Sequence, residues 1–193
     1  MWRKKNDFKP DRMGTGFLNK LYITQRQRLS ILKWTLFTLL LVLLSLIQDV
    51  VLCRLSIQGA TTDLVSASIL LLCVMLPTDT CAVFSLISAV LYFFSGMAAG
   101  PYSIIFLTAL GIVMNIFRYS YLRKSFLSVL LCAGTGLMVY ELLLFVTGLF
   151  LEYTTAGRFT AFCITGGISV AIMPLLYPIF LSISKIGGES WKE

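Results

Sequence analysis

Few side chains in this 193-residue chain could do chemistry, and the most conspicuous is Glu141, set beside Tyr140 inside the apolar run GLMVYELLLFV. An ionised carboxylate at the centre of a membrane span costs on the order of 3 kcal/mol on insertion scales, so it must face a bundle interior, pair, or carry a proton. Ligand contact, proton carriage, a polar contact to a partner helix, and a protonated or tyrosine-bonded structural carboxyl all fit that placement. Asp63 heads another apolar run, and Asp49, Arg54 and Asp63 bracket one loop, where an interfacial charge cluster is expected. Exposed pairs of that kind contribute no more than about 1 kcal/mol. Asn115, near the end of a further apolar run, is expected to bond between helices.

Beyond these the chemistry is thin. The chain has no histidine, which removes the commonest general acid/base and metal ligand. Its five cysteines (Cys53, Cys73, Cys81, Cys132, Cys163) are scattered without a CxxC pair and read as small buried packing residues. Paired acids, a nucleophile with its base, a P-loop glycine pattern and a zincin motif are all missing from the sequence. The expectation is a protein that is not an enzyme, with no catalytic residue, no cofactor and no metal.

The elements that must position Glu141 and Asp63 are membrane helices. Hydrophobic residues make up 58% of the chain and charged residues 13%, about half the share in a soluble domain, and the mean hydropathy is +0.87. A span needs about 20 apolar residues. Apolar runs at 31–52, 64–77, 81–97, 102–117, 126–151 and 159–183 predict an all-α polytopic membrane protein, a compact bundle of six transmembrane helices. A basic tail (1–30) precedes them and a short tail (185–193) follows. The first run reads as a retained span; the tail before it, with a short interfacial helix over 17–29, reads either as a topology determinant and nothing more or as a contact to anionic lipid or a cytoplasmic partner, not to nucleic acid.

The run at 64–77 is short for a span, and charge arbitrates. If it crosses, fourteen of the sixteen basic residues fall on the cytoplasmic side; if it does not, ten do. The positive-inside rule therefore predicts six spans with both termini in the cytoplasm. Small residues recur four apart at Ser128, Cys132 and Gly136, and again at Cys163, Gly167 and Ala171. Such faces let helices approach closely, and packing within the bundle is expected of both. Pro174 and Pro178 are expected to bend the last span.

The stretch SAVLYFFSGMAAGPYS at 88–103 runs from the third run into the start of the fourth, and its turn is nearly free of charge and rich in small residues. Gly96 and Gly100 give the chain freedom there, and Pro101 suits the start of a helix, so a tight hairpin is predicted. Two local patterns carry a family resemblance. Asp63-Leu64 looks like the Pro-Asp-Leu of the MreD family, with Thr62 in place of proline. Ser95-Gly96 followed by Gly100 looks like the same family's Gly-Leu-x-x-Asp-x-x-Ser-Gly-x-x-x-Gly corner, with Ser88 and Tyr92 where the family tends to have Gly and Asp.

Over roughly 39–185 the chain thus resembles MreD, the small multispanning protein of the bacterial rod-shape (elongation) machinery. The resemblance implies a non-enzymatic scaffold in the bacterial cytoplasmic membrane. Its partner would be MreC, with MreB, the RodA glycosyltransferase and a penicillin-binding transpeptidase in a larger complex for lateral peptidoglycan synthesis. Candidate contact residues are Asp63, Tyr92, Ser95, Gly96, Gly100, Tyr102 and Glu141. The competing class is the substrate-binding membrane subunit of an energy-coupling-factor vitamin transporter, of similar size and helix number.

Overall fold

Leu64 to Met75 reads LVSASILLLCVM, apolar on every side of a helix, and a helix with no polar face belongs in the centre of a bundle. The computed structural model describes residues 25–54, 60–122 and 125–186. Among them the helices are α1 (Gln25–Val50), α2 (Leu64–Met75), α3 (Thr78–Phe94), α4 (Tyr102–Tyr121), α5 (Phe126–Phe150) and α6 (Phe159–Ser184), with short 3-10 turns at Leu52–Arg54 and Ala156–Arg158. All twelve residues of α2 are buried, and α2 packs against every other helix.

Four helical stretches, Arg28–Val50, Tyr102–Tyr121, Phe126–Phe150 and Ala156–Ser184, are long and apolar enough to cross a membrane. With 12 residues, α2 is roughly 18 Å long against a hydrocarbon core of ~30 Å. The chain is therefore an all-helical protein of membrane character whose central helix is shorter than its surroundings. The helix ends observed lie within three residues of those expected, except at α1, which starts at Gln25, and at α4, which runs on to Tyr121. The tail at 1–24, most of the interfacial helix expected at 17–29, and the stretch at 187–193 lie outside the described residues.

A short buried helix has a backbone problem. Its first N–H and last C=O groups have no partner within the helix, and in lipid each unanswered group costs several kcal/mol. At the C-terminal end of α2 the answer comes from α4. Asn115 donates through Nδ2 to the carbonyls of Cys73 and of Leu76 at 2.7 Å. One turn along the same face, Arg118 donates through Nη1 to the carbonyl of Val74 at 2.9 Å. Arg118 is only 1% exposed, and its charge sits where the negative end of the helix dipole favours a cation. Asn115 does bond between helices as expected, whereas Arg118, counted as a loop charge in the positive-inside reading, is a buried capping residue.

Consecutive helices run antiparallel. Gln48, Asp63, Tyr92 and Thr165 meet at one end of the bundle, while Leu76 meets Asn115 and Phe126 meets Tyr177 at the other. Phe37 joins α1 to α3 and α6 through ring contacts with Phe84 and Phe180 at 6.3 and 6.5 Å.

The two small-residue stripes have different fates. On α5, Cys132 and Gly136 are buried against α4, where Cys132 Sγ donates to the Met114 carbonyl and Met114 fills the space beside Gly136. On α6, Cys163, Gly167 and Ala171 are all exposed, with nothing within 4 Å of the Cβ position of Gly167. Packing within the bundle, expected of both stripes, holds for α5 alone, because α6 turns Gly166, Ser169, Met173 and Phe180 inward instead. Cys73, Cys81 and Cys132 are buried as expected, but Cys163 is exposed; the Cys53 side chain lies outside the described ones. Pro174 and Pro178 both stand inside one continuous α6, on its exposed side.

If α4 seals α2, Asn115→Leu removes the donor to two buried carbonyls and should destabilise the protein by about 3 kcal/mol. Arg118→Met, which keeps the stem but not the charge, should cost about 2 kcal/mol. Thermal unfolding of the purified protein in micelles measures both, and melting unchanged from that of the native protein would refute the cap.

Candidate functional site

The opposite end of α2 is answered by three helices at once. Asp63 is its N-cap, and Asp63 Oδ1 accepts from the Ser66 N–H at 3.2 Å. The Val65 N–H donates to Gln48 Oε1 on α1 at 2.8 Å, and the Asp63 N–H donates to Ser169 Oγ on α6 at 2.9 Å. Gln48 Nε2 donates back to Asp63 Oδ1 at 3.4 Å, and the Tyr92 hydroxyl on α3 donates to Asp63 Oδ2 at 3.0 Å. Asp63 is 8% exposed, and its charge faces the positive end of the α2 dipole. A carboxylate so bonded is a structural keystone.

Above this keystone lies a cavity of about 250 Å³, lined by residues from α1, α3, α5, α6 and the connections that join them. Asp63, Tyr92 and Glu141 line it together, beside Gln48, Thr165 and the exposed Arg158. Glu141 is 5% exposed, and no hydrogen bond or ion pair from another described residue reaches its carboxyl. The tyrosine-bonded reading of Glu141 is therefore not what the fold adopts. Gly166 is what lets α6 lie across it: a Cβ there would stand 3.5 Å from Glu141 Cγ and 2.8 Å from Met138 Sδ.

The 95–101 connection forms one side of the cavity through Met97 and Ala99. Gly96 adopts φ +76° just after α3, a conformation that favours glycine. Ser95 is exposed and turns its hydroxyl back to the Tyr92 carbonyl at 2.7 Å. Tyr102 donates to the Ala99 carbonyl at 3.0 Å, with its ring lying over Gly100, where a Cβ would collide with it. The predicted hairpin is thus present, and Ser95, Gly96, Gly100 and Tyr102 hold its shape without lining the cavity themselves.

Of the seven expected contact residues, the fold brings Asp63, Tyr92 and Glu141 together. The interfacial cluster of Asp49, Arg54 and Asp63 does not form: Asp63 turns inward to the α2 terminus, while Asp49 and Arg54 stay exposed. The expectations passed over Gln48, Ser169 and Arg158. Gln48 was visible as an amide closing an otherwise apolar run. Ser169 carried no signal, since a serine in a membrane helix ordinarily bonds its own preceding turn, as Ser169 Oγ also does to the Thr165 carbonyl. Among the described residues no group of His, Cys, Asp and Glu is arranged to hold a metal ion.

The Tyr92–Asp63 bond is testable by a double-mutant cycle. Tyr92→Phe and Asp63→Asn, each alone and together, should reveal a coupling of about 1.5 kcal/mol in unfolding free energy, since hydrogen bonds to charged groups fall in that range. Strictly additive effects would mean that the hydroxyl and the carboxylate do not meet. Compared with protein-family models, with curated proteins and with solved structures, the chain matches none.

Proposed function

We propose that the chain is a six-span protein of the bacterial cytoplasmic membrane, with both termini in the cytoplasm. There it acts as a non-enzymatic scaffold of the rod-shape (elongation) complex, holding MreC and with it MreB, RodA and a penicillin-binding transpeptidase. One observation carries the reading: the axis of the bundle is filled by α2, whose residues from Ile69 to Val74 are at most 1% exposed. The polar group at the Asp63 end and the polar group at the Leu76 end are separated by packed side chains, not joined by a route. Channels and transporters line their paths with polar side chains or backbone carbonyls. Here the polar side chains chiefly bond the ends of one helix, and what the molecule offers to others is its outer faces.

The placement of charge supports the orientation. In an antiparallel bundle of six, fourteen of the sixteen basic residues share the side of the N-terminal tail. The connections at 51–63, 95–101 and 151–158 then face outward from the cell, where MreC would meet them. The two stretches that carry the resemblance adjoin through a bond from Tyr92, the residue that stands where the family tends to have Asp, to Asp63. A second reading, the substrate-binding subunit of a vitamin transporter, is favoured by the cavity beside Glu141, which would lie on the outer side.

Co-purification with MreC tests the first reading directly, and MreC is expected to follow the full-length protein through detergent extraction. Depletion should give rounded, swollen cells. Normal shape with lost uptake of one vitamin would replace the scaffold by the transporter subunit. A reporter fused after Glu193 should read cytoplasm, and an external signal would overturn the topology.

A further inference from the structure

Two carboxyl groups line the cavity, and they differ in how they are met. Asp63 has both oxygens occupied, by Ser66, Gln48 and Tyr92, and it caps a helix N-terminus. Glu141, 95% buried by its 5% exposure, has no protein partner among the described residues. A carboxylate withdrawn from water without a partner is costly, and a cation placed beside it offsets that cost. Arg158 lines the same cavity but stays exposed at its rim, forming no ion pair among the described residues. The aromatic rings of Tyr92 and Phe162 also line the space, and aromatic faces attract organic cations. At about 250 Å³ the cavity lies just below the usual range for small-molecule sites, which suits a small ligand or a single side chain.

We propose that this cavity binds an organic ammonium or guanidinium group, with Glu141 as its counter-ion. The group can be a free small amine or the Lys or Arg side chain of a protein partner. Both sources present the same chemistry: a compact cation on an apolar stem, the cation against Glu141 and the stem against Leu144 and Phe162. Amine binding and MreC capture are separate outcomes, and either can fail without the other.

Full-length protein in lipid nanodiscs is titrated with n-butylamine, n-butylguanidine and n-butanol while its thermal unfolding is followed. The two cations should raise the unfolding temperature saturably and the alcohol of the same shape should not. Glu141→Gln, which removes the ionisable carboxyl and leaves the shape, should fold and bind the cations at least tenfold more weakly. Ala161→Trp, which fills the cavity from α6, should fold and lose the response. The source is read from an end-blocked Gly-Lys-Gly peptide: binding comparable to n-butylamine assigns the site to a partner's side chain, and binding of the free amines alone assigns it to a small ligand. An equal response to n-butanol, no saturable response to either cation, or full retention in Glu141→Gln would overturn the proposal. So would binding that emerges only in Arg158→Ala, since Arg158 would then be the counter-ion of Glu141.

Discussion

A helix shorter than the bundle around it cannot deliver its own ends to water, and this constraint organises the rest of the molecule. Roughly 18 Å of α2 is held inside a ring of longer helices, so the backbone groups at both its termini must be answered by side chains from elsewhere. Gln48 from α1, Tyr92 from α3, Asn115 and Arg118 from α4, and Ser169 from α6 converge on it for that reason. Each of these bonds fixes the depth and rotation of the helix that supplies it. The polar residues of the core therefore set the register of the bundle, while the apolar surface of α2 supplies the close packing that holds it together.

The cavity follows from the same shortness. Where α2 stops at Asp63, the surrounding helices continue, and the space above the helix terminus is closed only by the connections between them. Its buried lining is polar because the N-cap is polar and because α5 contributes Glu141 to it. Gly166 allows α6 to lie against Glu141, and the 95–101 connection, turned by Gly96, closes another side. The recess beside Glu141 and the packed interior are thus two aspects of one arrangement.

The outer surface is divided just as unevenly. The small residues of α5 are consumed in contact with α4, whereas those of α6 face away from the bundle together with Pro174 and Pro178. Much of α1 is exposed too, including Leu39, Val42, Leu43 and Leu46. In lipid such apolar exposure is ordinary, because hydrocarbon chains are as good a neighbour as another helix. Under the scaffold reading these are the surfaces left for partner helices.

The sequence by itself determined the class of the molecule, the number of helices and most of their ends, because long apolar runs and the punctuation between them are local properties. It also determined that the 95–101 connection turns sharply, since Gly96 and Pro101 act through their own backbone. Three of the seven expected contact residues share one cavity, and of these Glu141 is legible because an acid in an apolar run must face inward. Only the tertiary structure decided what those residues bond to. Asp63 reads in sequence as one of three loop charges and is instead the N-cap of a buried helix, bonded to residues 15, 29 and 106 positions away. Arg118 reads as a loop cation and is a buried cap 44 positions from its acceptor. Two stripes of small residues with the same spacing face opposite ways. Periodicity fixes which residues share a face of a helix, but the direction of that face is set by the neighbours that pack around α2.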